Sequence, residues 1–214
     1  MQASELFKKC LALAVMMIAC ASPPPAVPSG TDDAPIDVLS DPLMVLITQP
    51  DTIRREALGI DFAIALKASY TVSGVVVSRK NYGGGWSARL APCDLALAWG
   101  DLVKGDIYRR LHWSQSSRWY HWRYGSGFTG DNAFVARYSS NNHIVPATEN
   151  LARAVKSLKR GDAVELSGYL VNINGSKDGM PYWWCSSVRL DDTGDNSCEV
   201  IYLTRLRTKG QLFE

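Results

Sequence analysis

The chain has 214 residues, 46% of them hydrophobic and 10% aromatic, enough for one domain with a sizeable core, and this composition excludes overall disorder. Its 23 Lys and Arg against 21 Asp and Glu leave a formal charge of +2. That balance excludes a chain-wide attraction to nucleic acid or anionic lipid and confines any basic patch to a local stretch.

Residues 1 to 19 read as a signal peptide. Lys8 and Lys9 precede the apolar run Leu11 to Ala19, which has the length of a signal hydrophobic region and is too short to span a bilayer. Met17-Ile18-Ala19-Cys20 resembles the lipobox of bacterial lipoproteins, departing from it at Met17, where Leu is the commoner residue. The resemblance implies lipid attachment at Cys20, a palmitate-type two-chain anchor, and a body held at the membrane facing the periplasm. Cleavage after Ala21 is the alternative, since Ala19-Cys20-Ala21 also fits the small-x-small rule. Either route exports the body to the cell envelope. Removal of residues 1 to 19 takes away Glu5, Lys8 and Lys9 and leaves 21 basic and 20 acidic residues.

Residues 20 to 42 are expected to form a Pro-rich linker, led by Ser22-Pro23-Pro24-Pro25-Ala26-Val27-Pro28. A single α+β domain is expected over 43–214. Leu43 to Ile47 predicts a short strand, and Ile53 to Ala68, broken by Gly59, a short helix. Tyr70 to Ser78 predicts a strand rich in β-branched residues. Gly83-Gly84-Gly85 lacks the Lys-Ser/Thr pair of a phosphate-binding loop and reads as a surface loop. Pro92 to Gly100 predicts one or two buried helical turns, with Asp94 as N-cap.

The densest stretch is His112 to Tyr124. From Arg118 it alternates as a strand, with Trp119, His121 and Arg123 on one face and Tyr120, Trp122 and Tyr124 on the other. Ser114-Gln115-Ser116-Ser117 predicts the turn of a hairpin. Lys104 to Tyr124 carries five basic residues and one Asp. Such a run suits a stacking, cation-bearing contact face, or else the aromatic core of a twisted sheet. Asn141 to Pro146 reads as a loop carrying His143. Thr148 to Arg160 has apolar residues at helical spacing and predicts one clear helix. Ala163 to Ile173, Tyr182 to Val188 and Glu199 to Leu206 predict three antiparallel strands, a pattern similar to the meander of an OB-like barrel in the C-terminal half. The fold class is therefore α+β, mostly antiparallel sheet.

Leu90 to Leu97, Ser114 to Tyr120 and Asp191-Asp192-Thr193-Gly194 together resemble a family of bacterial proteins to which no activity attaches, so the likeness transfers none. Cys93, Cys185 and Cys198 in an oxidising compartment permit one disulfide, of any pairing. Asp191, Asp192, Asp195 and Glu199 lack the spacing of a calcium loop, and His112, His121 and His143 are too dispersed for a zinc signature, so no metal or cofactor is expected. The expected function is that of a membrane-anchored envelope lipoprotein acting as a binding or assembly module. The expected contact residues are Arg118, Trp119, His121, Trp122, Arg123 and His143, and the expected partner is an envelope protein or glycan rather than nucleic acid. Two alternatives stay open: a periplasmic hydrolase centred on His143, drawing on Asn142 and a carboxylate, and a structural part of a secretion or conjugation assembly. An enzyme is disfavoured, because no catalytic motif is present.

Overall fold

The computed structural model describes residues 23–49, 51–189 and 198–214. The signal segment, Cys20 and the acidic loop around Asp191 lie outside the described residues.

Twelve strands are present among the described residues: β1 (Gly30–Thr31), β2 (Leu43–Leu46), β3 (Thr52–Ala57), β4 (Ile60–Asn81), β5 (Cys93–Ala98), β6 (Leu111–Ser116), β7 (Trp119–Tyr124), β8 (Ser139–Pro146), β9 (Ala163–Lys177), β10 (Met180–Cys185), β11 (Glu199–Thr208) and β12 (Gln211–Phe213). Short helices α1 (Gly85–Leu90) and α2 (Asn132–Arg137) and the longer α3 (Glu149–Ser157) are set between them. This is the α+β class expected from the sequence.

Five strands pair in a closed ring, β4–β5–β8–β11–β9 and back to β4. All neighbours are antiparallel except β8 and β11, which run parallel with His143 opposite Val200. With α3 between its third and fourth strands, the ring has the connectivity of an OB-like fold. It begins at β4, so it uses both halves of the chain and is not confined to the C-terminal half. Closing a ring with β9 between β4 and β11 brings backbones very close at Gly168. A Cβ there would sit 2.1 Å from the carbonyl oxygen of Tyr202, so only glycine fits.

The interior is filled by Tyr70, Val72, Leu95, Leu97, Ile144, Leu166, Leu170, Ile201 and Leu203; α3 adds Leu151, Ala154 and Val155, and its C-cap residue Leu158 joins them. Thr148 caps α3 by accepting a hydrogen bond from the Leu151 N–H at 3.1 Å, as its position before the periodic run predicts. Two further apolar clusters lie outside this one. In the first, Phe62, Ile64, Val171, Ile173 and Val200 pack with Trp86, Tyr182 and Trp184. In the second, Val75, Val77, Ala96, Ala98, Leu111 and Trp113 lie under the β6–β7 hairpin and α2.

Three local expectations are overturned. The segment 53–68 is a hairpin, β3 turning into β4 at Leu58-Gly59, both at positive φ. Alternation of buried Ile60, Phe62 and Ile64 with less buried neighbours outweighs the helical reading. Residues 93–98 form a strand, not helical turns, because β5 is buried on both faces and shows no polar alternation. The same reason makes residues 139–146 a buried strand, replacing the loop expected over 141–146.

The Pro-rich stretch also lies along the body. Asn150 grips the Val27 backbone in both directions, its Nδ2 donating to the carbonyl and its Oδ1 accepting from the N–H, each at 2.8 Å. Further on, β1 pairs with β12. Arg207 then donates to Ala34 O at 2.6 Å and to Glu165 at 2.8 Å, and Arg137 pairs with Asp41.

Candidate functional site

The polar residues that converge most closely lie on the outer face of β5 and β8. Asp94 and His143 are directly opposite across these strands. Strand alternation turns both away from the ring interior, where Cys93, Leu95 and Ile144 point. Asp94 is completely buried, and its Oδ1 lies 3.0 Å from His143 Nδ1. That is ion-pairing distance, although the ring N–H is not aimed for a hydrogen bond. Asp94 Oδ2 has no hydrogen-bond partner among the described residues.

The countercharge comes from the hairpin. Ser117 and Arg118 form its two-residue turn with φ of 50° and 72°, the left-handed geometry that such turns require and that Gly or Asn usually supplies. Arg118 Nη1 donates to Asp94 Oδ1 at 2.6 Å and to Ala91 O at 2.9 Å, and Nη2 donates to Ser87 Oγ at 3.3 Å. The guanidinium lies 3.7 Å from the centroid of the Tyr82 ring and 5.2 Å from that of Trp184. Asn141 Nδ2 donates to Arg118 O at 2.7 Å, and Gln115 Nε2 donates to Asn141 Oδ1 at 2.7 Å. The hairpin tip is thus fixed to the ring by an inward-pointing cation and by the bonds to Asn141. Burial, followed by the charge of Asp94, raises the Tyr82 phenol above its ordinary value.

Beside this group is a cavity of about 140 Å³ lined by Arg118, Trp119, His143, Trp183, Trp184, Cys185 and Cys198. The His143 and Trp184 rings are 4.6 Å apart, tilted by 45°. Trp119 and Trp183 remain 39% and 63% exposed. No protein-family model, curated protein or solved structure matches the chain.

The residues expected to make contact therefore occupy three settings. Arg118, Trp119 and His143 share the cavity. His121 and Arg123 are exposed on the outer face of β7, His121 within 3.2 Å of Ser116 Oγ. Trp122 faces inward with Tyr120 against Trp113, its indole N–H donating to Asn132 Oδ1 at 3.0 Å. On β7, Tyr120 and Trp122 are thus partly buried against the body, while Trp119, His121 and Arg123 stay exposed. Asn142 is on the opposite side of β8 from His143 and donates to Leu95 O, so the carboxylate beside His143 is that of Asp94 and Asn142 does not join it. Among the described residues no three of His, Cys, Asp and Glu are placed to hold a metal ion. Tyr82 and Trp184 carry no local signal in the sequence, and Asp94, expected as a helix N-cap, instead lies mid-strand in β5. For Asp94 the only signal was a carboxylate inside a run of apolar residues, a position that requires a partner.

Proposed function

We propose that this protein is an exported, membrane-anchored envelope lipoprotein that works as a binding module, with its contact site running from the outer face of β7 into the His143 cavity. One observation carries this reading: exposed Trp119 shares a cavity with His143 and with an Arg118 already immobilised by Asp94. A site held by such contacts costs little further ordering when a ligand arrives. The cavity is smaller than the roughly 300–1,000 Å³ of sites that enclose a whole drug-sized ligand. It suits a single ring-sized group, the rest of the ligand lying across Trp119, His121 and Arg123.

The ligand class that fits is a sugar ring of an envelope glycan. Tryptophan faces offer flat apolar surface with a polar edge. The Arg118 charge is paired with Asp94, and the chain as a whole is nearly neutral, so the phosphate neutralisation that nucleic acid demands is lacking. Titration with soluble N-acetylhexosamine oligomers is expected to change tryptophan fluorescence, and Trp119→Ala is expected to abolish the change while leaving the circular dichroism spectrum intact. Capture of single-stranded oligonucleotide in place of glycan, or binding indifferent to Trp119→Ala, would sink the proposal. The anchor is tested separately by the intact mass of the mature protein, which should carry acyl chains at Cys20.

A second reading, a hydrolase centred on His143, is favoured by the Asp94–His143 approach beside an open cavity. It requires a bell-shaped pH profile of a hydrolytic activity that His143→Ala abolishes. Arg118 on the same carboxylate oxygen weakens it, because that oxygen is already engaged by a fixed cation.

A further inference from the structure

We propose that Cys185 and Cys198 are a disulfide-forming pair built into the wall of the His143 cavity, and that Cys93 is excluded from pairing. Sequence alone permits any of the three pairings, and position in the fold separates them.

Cys93 points into the ring interior among Leu95, Leu97 and Ile144, is 1% exposed, and its thiol donates to the Asp94 carbonyl at 3.6 Å. Burial pushes that thiol up to about 12, so it presents neither an accessible sulfur nor the thiolate that exchange requires. Cys185 and Cys198, by contrast, are partly exposed and line one cavity. Cys185 ends β10, opposite Asn172 of β9, and Cys198 stands immediately before β11. The two backbone runs are held together: the Ser187 N–H donates to Cys198 O at 3.1 Å, and the Val200 N–H donates to Ser186 Oγ at 3.0 Å. These bonds join the run that follows Cys185 to the run that carries Cys198, so the two residues line one cavity from neighbouring stretches of chain.

The step balances by thiol–disulfide exchange. One cysteine thiolate attacks an external disulfide, forming a mixed disulfide and releasing one thiol. The second cysteine thiolate then attacks the protein sulfur of that mixed disulfide and releases the other thiol. Two electrons and two protons pass to the oxidant. In the cell the oxidant is an exported protein disulfide, which rests on the export reading, whereas oxidised glutathione serves in the test.

The purified full chain is incubated with oxidised glutathione, alkylated in denaturant and mapped by mass spectrometry after proteolysis. The expected product is one cross-linked species joining the peptides of Cys185 and Cys198, about 2 Da lighter than the two separate thiols, with Cys93 alkylated. In Cys185→Ser the expected product is a glutathione adduct on Cys198 and no cross-link. Recovery of Cys185 and Cys198 separately alkylated or separately glutathionylated, a link to Cys93, or a disulfide between two chains would overturn the proposal. None of these outcomes depends on glycan binding, so the two proposals fail independently.

Discussion

Arg118 Nη1 donates to Asp94 Oδ1 at 2.6 Å, tying the tip of the β6–β7 hairpin to a carboxylate that has no solvent exposure. Asp94 lies on the ring and Arg118 on a turn that has no apolar residue of its own. One ion pair, supported by the Tyr82 and Trp184 rings, fixes the geometry of the cavity beside it. Removal of one partner leaves a buried charge uncompensated, which costs more than removal of both.

Arg118→Met should therefore destabilise the fold by about 3 kcal/mol, reduced from the fully buried case because the side chain retains some solvent contact. Arg118→Met combined with Asp94→Asn should recover more than half of that loss. Urea denaturation of the two variants measures both quantities. A double variant no more stable than the single one would show that the pair does not anchor the hairpin.

Ser117 occupies left-handed backbone at φ 50°. An L-residue there costs roughly 1 kcal/mol relative to glycine. Ser117→Gly should raise stability by about that amount, and Ser117→Val should lower it further because a β-branched residue tolerates this region least. Thermal unfolding midpoints should rank Gly above Ser above Val.

The alkaline limit of stability follows from the buried thiol. Folded Cys93 keeps its proton up to about 12, while the unfolded chain releases it near 9.0. The native state thus binds more protons across that window, and stability falls as pH rises through it. Tyr70 and Tyr120, both raised above 10.0 by burial, steepen the fall at still higher pH. Cys93→Ala should flatten the decline between about pH 9 and 10, below the range in which the tyrosines contribute most. Chemical denaturation at pH 7, 9 and 10 reads the slope.

Asn150 ties residue 27 to the first turns of α3 through two backbone hydrogen bonds. Asn150→Ala removes both and should cost about 1–2 kcal/mol, felt locally. Hydrogen exchange should accelerate at Val27 and Ser29 and stay unchanged in β9 and β11. Uniform acceleration would mean that this contact belongs to the cooperative unit of the whole domain.

The sequence by itself determined what local patterns encode. The α+β class, the capped helix after Thr148 and the alternation of β7 are all legible, because each depends on spacing between near neighbours. The segment 53–68 does alternate, but Gly59 and the apolar spacing around it imitate a broken helix, whereas 93–98 and 141–146 escape local patterns for another reason. A strand buried on both faces loses its polar alternation, and only its neighbours across the ring reveal it. The same limit hid the site. His143, Asp94 and Arg118 stand far apart in the chain, and only pairing of β5 with β8 and docking of the hairpin turn bring them together. Trp119 and Trp122 fall on opposite faces of β7, and both faces are aromatic, so the sequence does not say which is buried. Tertiary packing decided that the first borders a cavity and the second fills a core, since the direction of a strand face is set by what lies beneath the sheet.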